Sequence, residues 1–195
     1  MKKQNWQKWL SFLLGTFCLL ALAACGPQEE TSSGPETTLA QVDEATLQQY
    51  VEKPEIALGE SFVFQSAAEL ATQQLFDFYL ATVDGAAAEE YLQEDQLYHI
   101  PTAAITKFLD QYFVDYQFDP TELGEYNMAE DTVDVAGLIV AEGNEVTVVS
   151  SQMEDTQQTI VIQVANEAGE ELYQKTYVLT QTDNGMQYDS VTLAE

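Results

Sequence analysis

The chain has 195 residues, of which 33 are acidic and 6 are basic, and it contains two cysteines and one histidine. All six basic residues are lysines, and from residue 25 onward three lysines face 33 acidic residues, a formal charge of −30. This balance excludes proteins that bind nucleic acid or other phosphate polymers through a basic surface. The length predicts one domain with additional segments.

The first 24 residues have the composition of a targeting segment. Three lysines lie before residue 9, and an apolar run of 16 residues follows from Trp9 to Ala24. The run is short for a permanent membrane span, which takes about 20 apolar residues, and it suits the core of a signal peptide. It ends in Leu22-Ala23-Ala24-Cys25, where the small residues fit a signal-peptidase pocket and the Cys25 thiol can accept lipid.

These four residues resemble the lipobox of bacterial lipoproteins of the Gram-positive type. The resemblance implies cleavage after Ala24, a diacylglycerol thioether on Cys25, and often an N-terminal acyl chain such as palmitate. Two or more lipid chains are enough for stable anchoring. The resemblance therefore predicts a cell-membrane location, with the rest of the chain facing outside the cytoplasm. An uncleaved signal anchor and a secreted protein that is cut elsewhere are the alternatives.

The resemblance also implies that the mature chain has no free thiol. Cys18 would be removed with the leader and Cys25 would carry the lipid, so no thiol is expected for a disulfide, a metal site or a nucleophile. Residues 26–40, after Cys25, are rich in Gly, Pro, Ser, Thr and Glu and predict a flexible linker. Residues 41–195 are then an acidic extracytoplasmic domain.

The first half of this domain shows helical periodicity. Pro54 and the apolar residues after it predict an extended stretch that follows a short helix. Ser66 and Glu69 have capping-box spacing at the start of a long apolar stripe, and Gly85 predicts the end of that helix. Pro101 marks the first turn of a further helix with a large aromatic face. The predicted helices cover residues 43–50, 66–83, 86–92 and 102–113.

From Thr132 onward the period of the hydrophobic pattern changes to two. Turn residues separate the alternating segments, most clearly at Asp183-Asn184-Gly185. Consecutive hairpins of this kind form an antiparallel meander with one buried face. The predicted fold class is therefore α+β, with N-terminal helices packed on a C-terminal antiparallel β-meander of four or five strands. The predicted strands cover residues 135–141, 145–151, 159–164, 172–181 and 186–193.

The layout of the domain also resembles uncharacterised α+β domains of Gram-positive lipoproteins. The residues that carry this resemblance are Ile100-Pro101, Tyr112-Phe113, Tyr126-Asn127 and Val133-Asp134-Val135, followed by the hairpin sheet. Most of them are core positions, so the resemblance implies a fold and no activity.

Catalytic signatures are missing from the sequence. A Ser-His-acid triad would have to use His99, and the chain contains no Gly-x-Ser-x-Gly elbow. We interpret His99 as a partly exposed residue before a helix, outside any recognisable constellation. Glycosidases use paired carboxylates, but such pairs arise by chance among 33 acidic residues. The acidic pairs at 89–90, 94–95, 154–155 and 170–171 are interpreted as solvated charges.

Oxygen ligands for calcium are abundant, whereas the histidine and thiol ligands of transition metals are not. No EF-hand pattern is present, and no cofactor is expected. The calcium candidates are Glu130, Asp131 and Asp134, with Asp115, Asp119 and Glu122 as a second group.

Aromatic residues cluster around the end of the predicted 102–113 helix. Tyr112 and Phe113 have core spacing, whereas Tyr116 and Phe118 alternate after the helix. Exposed aromatic rings can bind sugars or peptides at a cell surface.

These observations favour a membrane-anchored extracytoplasmic lipoprotein that acts as a non-catalytic binding or accessory module at the cell envelope. The alternatives are a small envelope hydrolase that uses paired carboxylates and a Ca²⁺-responsive surface protein. The expected partners are the membrane, through the lipid on Cys25, and a protein or cell-wall component, with no nucleic acid. Self-repulsion at a charge of −30 favours a monomer.

Overall fold

The computed structural model describes residues 43–139, 144–183 and 185–194, which all lie in one compact unit. The fold class is α+β, as predicted: helices occupy the first half of this unit and a four-stranded antiparallel sheet occupies the second. The predicted leader, Cys25 and the linker at 26–40 lie outside the described residues.

The first segment is helical from Glu44 to Leu58, but its pitch changes twice. Helix α1 (Glu44–Leu47) passes into a π-helical turn (Gln48–Glu52) and then into α2 (Lys53–Leu58), which a 3₁₀ turn follows. The extended stretch predicted at Pro54 is wrong. Pro54 lies in the first turn of α2, a position at which proline is tolerated.

Helix α3 (Thr72–Thr82) begins later than the predicted helix over 66–83. Ser66 does act as a cap, because its side chain accepts a hydrogen bond from the Ala68 N–H, but the turn it caps (Ala67–Glu69) is a single 3₁₀ turn. The chain is then extended for two residues before α3 starts. A local cap signal therefore predicted a helix start that belongs to a shorter element.

Two further helices follow. Asp84 accepts hydrogen bonds from two backbone N–H groups at the start of α4 (Gly85–Ala88), so Gly85 begins a helix and does not end one. Helix α5 (Thr102–Leu109) ends four residues before the predicted boundary. Tyr112 and Phe113 are nevertheless buried, as their spacing predicted.

A small three-stranded antiparallel sheet combines one strand before α5 with two strands after it. It contains β1 (Tyr98–Pro101), β2 (Tyr126–Asn127) and β3 (Thr132–Val135) in the order β1-β3-β2. The strand predicted at 135–141 is therefore wrong in position: β3 ends at Val135, residues 136–139 belong to no strand, and residues 140 and 141 lie outside the described ranges. Ile100 and Val133, which face each other in this sheet, are fully buried.

The larger sheet is the predicted meander, with its strands in sequence order. Its strands are β4 (Glu145–Glu154), β5 (Gln157–Ala165), β6 (Glu171–Thr182) and β7 (Gly185–Leu193). The alternating residues of β5 and β6 are buried on the inner face, which carries the core.

The outer face of the larger sheet carries almost no charge in its two central strands. Strand β5 contains no acidic residue, and β6 contains only Glu171, at its first position. Hydroxyl, amide and valine side chains occupy the outward positions of these strands: Thr159, Val161, Gln163, Gln174, Thr176, Val178 and Thr180. The acidic residues of the domain are therefore concentrated elsewhere.

Aromatic side chains fill the space between the helices and the sheet. Phe78 of α3 meets Phe113 edge-on, with ring centroids 4.8 Å apart, and Phe113 stacks on Tyr188 of β7 at 5.3 Å. The outer edge of β7 is also occupied: Phe64 exchanges two backbone hydrogen bonds with Val191. The helical half is thus fixed to the last strand by both rings and backbone.

A buried ion pair joins α2 to β6. Lys175 and Glu55 are 0% and 1% exposed, and the Lys175 ammonium lies 3.0 Å from Oε1 of Glu55. The ammonium also donates to the carbonyls of Gly59 and Phe62, and the hydroxyls of two tyrosines of β6 donate to the Glu55 carboxylate. Each charge therefore has several partners, which a buried pair requires.

Candidate functional site

The four lipobox residues predicted as the lipidation site, Leu22, Ala23, Ala24 and Cys25, lie outside the described residues. The calcium candidates Glu130, Asp131 and Asp134 lie in the described ranges, and two of the three accept hydrogen bonds from protein donors. Asp134 accepts hydrogen bonds from Thr132 and Asn127, and Asp131 accepts one from the Tyr126 hydroxyl.

Within 43–139, 144–183 and 185–194, no three His, Cys, Asp or Glu residues form a group that could hold a metal. In the second calcium group, one oxygen of Asp119 accepts two hydrogen bonds from Thr121, where it caps a 3₁₀ turn.

His99 lies in a constellation that the sequence did not reveal. Its Nε2 is 2.9 Å from Oδ2 of Asp95, and its Nδ1 is 3.0 Å from Oδ1 of Asp134, the second contact being an ion pair without hydrogen-bond direction. Because both ring nitrogens face carboxylates, the geometry fits the imidazolium form. The hydrogen bond to Asp95 and the charge of Asp134 raise the pKa of His99.

The His99 cluster holds segments together and carries no nucleophile. Asp95 lies in the turn before β1 and also accepts the Leu97 N–H, while Asp134 belongs to β3. The four-residue spacing of Asp95 and His99 was visible in the sequence. The contact with Asp134 was not, because it depends on the pairing of β1 with β3.

The predicted aromatic site at Tyr116 and Phe118 forms an open groove after α5. The Tyr116 hydroxyl donates to the Asp110 carboxylate at 2.8 Å, and the Tyr116 ring packs edge-on against Phe113. Tyr116 therefore contacts the end of α5 and has a structural role there.

Within the described residues, a cleft lies between the first helical segment, the end of α3 and α5. It has a volume of about 350 Å³, near the lower end for small-molecule pockets. Its lining residues are Ala45, Gln49, Lys53, Thr82, Asp84, Phe108 and Tyr112.

A proline shapes the wall of this cleft. In a regular α-helix the N–H of residue 54 would bond the carbonyl of Tyr50, but Pro54 has no N–H and its ring crowds that carbonyl. The turn immediately before it is π-helical. The Tyr188 hydroxyl of β7 donates to the Tyr50 carbonyl at 2.6 Å and so replaces the missing donor.

Gln49 lies within the π-helical turn, Lys53 directly follows the turn, and both residues line the cleft. π-Helical segments are rare and often occur at functional sites. The Gln49 amide donates to the Tyr112 hydroxyl at 2.8 Å, so the wall and the floor of the cleft are joined.

The Tyr112 hydroxyl is a hydrogen-bond donor whose proton is available to a ligand. It accepts from Gln49, but no acceptor for its own proton lies among the residues that the structure describes. Burial raises the pKa of Tyr112, so the hydroxyl keeps this proton. It can therefore donate a hydrogen bond to a ligand in the cleft.

The cleft carries one positive and one negative side chain. Lys53 and Asp84 are both exposed, and neither forms an ion pair with any residue in the described ranges. One oxygen of Asp84 caps α4, and the other has no hydrogen bond there. The site thus presents two unpaired opposite charges beside an aromatic floor.

Sequence reasoning missed this cleft. Pro54 was visible, but its effect was interpreted as extended chain, and the hydroxyl that compensates for it belongs to Tyr188, 138 residues after Tyr50. The one available signal was the scarcity of lysines, which makes Lys53 one of only three after residue 25.

Comparison with protein-family models, with curated proteins and with solved structures finds no match to this chain. In the part of the chain that the structure describes, no helix is both long and apolar enough to cross a bilayer.

Proposed function

We propose that this protein is a lipid-anchored extracytoplasmic binding module, which holds a small ligand in the cleft at the π-helical turn without catalysing a reaction. The anchoring part rests on the resemblance of Leu22 to Cys25 to a lipobox. The binding part rests on one observation: a cleft of ligand size with two opposite charges, neither of which forms an ion pair with a residue in the described ranges.

The acidic groups support binding over hydrolysis. A hydrolase with paired carboxylates needs two acids at the reacting bond, with environments that hold one of them protonated. Among the described residues, Glu55 is the only buried acid, and Lys175 neutralises it away from the cleft. The cleft itself contains one carboxylate, Asp84, which is exposed.

The anchoring part is tested by Cys25→Ala. Without the thiol that accepts lipid, we expect the protein to lose the mass of the lipid and to leave the membrane fraction. Cys18→Ala is the matched control, because that cysteine lies within the predicted leader; it should leave both mass and fractionation unchanged. Membrane retention of the Cys25→Ala protein with unchanged mass would contradict the proposal.

The binding part is tested on the full chain in detergent micelles by saturation-transfer NMR. The probe is a mixture of amino acids, sugars, nucleotides and polyamines. Ala45→Trp should abolish transfer to the ligand, because this exposed residue lines the cleft and the indole fills it. Ala103→Trp, at an exposed position of α5 outside the cleft, should leave transfer unchanged. Transfer that survives Ala45→Trp, or no transfer to any compound, would overturn the binding role.

A further inference from the structure

We propose that the ligand of the cleft is a small zwitterion: a free α-amino acid whose carboxylate faces Lys53 and Tyr112 and whose ammonium faces Asp84. This inference rests on the proposed function and narrows it to one chemical class. It follows from the charge, the size and the floor of the cleft.

Charge excludes the simpler ligand classes. From residue 25 onward the chain has a formal charge of −30, so an anion is repelled by the molecule as a whole. A simple cation would be repelled locally by Lys53, and the many carboxylates outside the cleft would compete for it. A zwitterion adds no net charge and satisfies Lys53 and Asp84 together, through charge-assisted hydrogen bonds.

The carboxylate end has a second donor. The Tyr112 hydroxyl carries a proton that no described residue accepts, and carboxylate oxygens accept several hydrogen bonds. Lys53 and Tyr112 together therefore offer a charged and a neutral donor to the same group. Asp84 offers only acceptors, which suits an ammonium.

The size of the cleft limits the size of the ligand, and its aromatic floor favours an apolar ligand side chain. A volume of about 350 Å³ accommodates a compound of amino-acid size and leaves little room for an oligomer. The Phe108 ring is half-buried and lies 5.0 Å from the Tyr112 ring, so the floor is aromatic. An apolar side chain such as that of leucine can rest on it.

The test compares three probes by calorimetric titration of the full chain in detergent micelles. L-Leucine carries both charges, L-leucine amide lacks the carboxylate, and N-acetyl-L-leucine lacks the ammonium. We expect leucine to bind at least tenfold more tightly than either analogue. Equal affinity for all three, or no heat with leucine, would overturn the zwitterion inference. If a sugar or a polyamine instead binds the natural protein and not the Ala45→Trp variant, the proposed binding role is still supported.

Two variants assign each charge to its end of the ligand. Lys53→Met should bind leucine and leucine amide equally, because the group that distinguishes them is gone. Asp84→Asn should bind leucine and N-acetyl-leucine equally, and asparagine still caps α4. Lys107→Met and Glu167→Gln, exposed residues outside the cleft, are the controls and should retain the tenfold discrimination. Loss of discrimination in these controls would contradict the assignment.

Discussion

Pro54 removes a backbone donor from the first helical segment, and one hydroxyl from the other end of the chain replaces it. The Tyr188 hydroxyl donates to the Tyr50 carbonyl inside the core, where no water competes for the bond. A buried carbonyl without a donor is costly, so this hydrogen bond stabilises the π-helical turn. The cleft depends on that turn through Gln49 and Lys53.

Tyr188→Phe should lower the free energy of unfolding by about 1–3 kcal/mol, because the Tyr50 carbonyl loses its partner. Urea unfolding measures the change. Tyr98→Phe is the control, since the Tyr98 hydroxyl bonds no described residue, and should cost less than about 0.5 kcal/mol. In a Pro54→Ala background the cost of Tyr188→Phe should shrink, since alanine restores the N–H. Equal costs for both tyrosine variants would contradict this role.

His99 is the second residue whose contacts decide stability, and its contribution depends on pH. Its pKa is raised above the ordinary 6.5, first by the hydrogen bond to Asp95. A group that binds its proton more tightly when folded stabilises the protein below its unfolded pKa. That contribution is lost as the pH rises through the raised pKa.

The prediction compares the natural protein with His99→Gln by urea unfolding at pH 5.5, 7.0 and 8.5. The natural protein should exceed the variant most at pH 5.5, where the imidazolium faces Asp95 and Asp134. The difference should fall as the pH rises above about 6.5. A difference that stays constant across the three pH values would contradict the role of the proton.

At the scale of elements, the hairpins were predictable and the cleft was not. The alternation of Ile160, Ile162 and Val164, with turn residues on either side, is a local signal, and it gave the meander. The capping signal at Ser66 was also local, but a 3₁₀ turn uses the same cap as a helix. The π-helical turn depends on Tyr188, and the His99 cluster on the pairing of β1 with β3. Such long-range contacts leave no periodic trace in the sequence.

The β6–β7 hairpin makes a testable contact with the first helical segment. Gly185 has a φ of +120°, and a Cβ there would lie 2.9 Å from the Tyr50 hydroxyl. Gly185→Ala should therefore destabilise the protein through both strain and collision, by about 1–3 kcal/mol. Thermal unfolding gives the measurement.

Gly169→Ala separates strain from collision. Gly169 also has a positive φ, of +77°, but nothing lies within 4 Å of the added Cβ. Its cost should be limited to backbone strain, about 1 kcal/mol. A Gly185→Ala variant no less stable than Gly169→Ala would show that Tyr50 moves aside freely.

At the scale of the whole molecule, charge opposes compactness. Within the described ranges, ion pairs involve only His99 and Lys175, so most of the 33 acidic residues have no cationic partner. Repulsion between like charges destabilises a folded state, and salt screens it. The Lys175–Glu55 pair is buried, so salt weakens it little.

The melting temperature should therefore rise by several degrees when NaCl is raised from 10 mM to 100 mM. Over this range the screening length falls from about 30 Å to about 10 Å. KCl at the same ionic strength should have the same effect, because screening does not depend on the identity of the monovalent cation. An unchanged or lower melting temperature would mean that acidic repulsion contributes little to the stability of the fold.

The hydrogen bond from Tyr188 to Tyr50 spans 138 residues, and this has a consequence for how the molecule is made. A polypeptide leaves the ribosome amino end first, so the wall of the cleft is synthesised early and its support arrives with the last strand. Contacts so distant in sequence form late and slow the folding of a chain. A nascent chain can contain every side chain that lines the cleft and still lack the shape of the cleft, so the proposed ligand would bind only after the last strand has been synthesised.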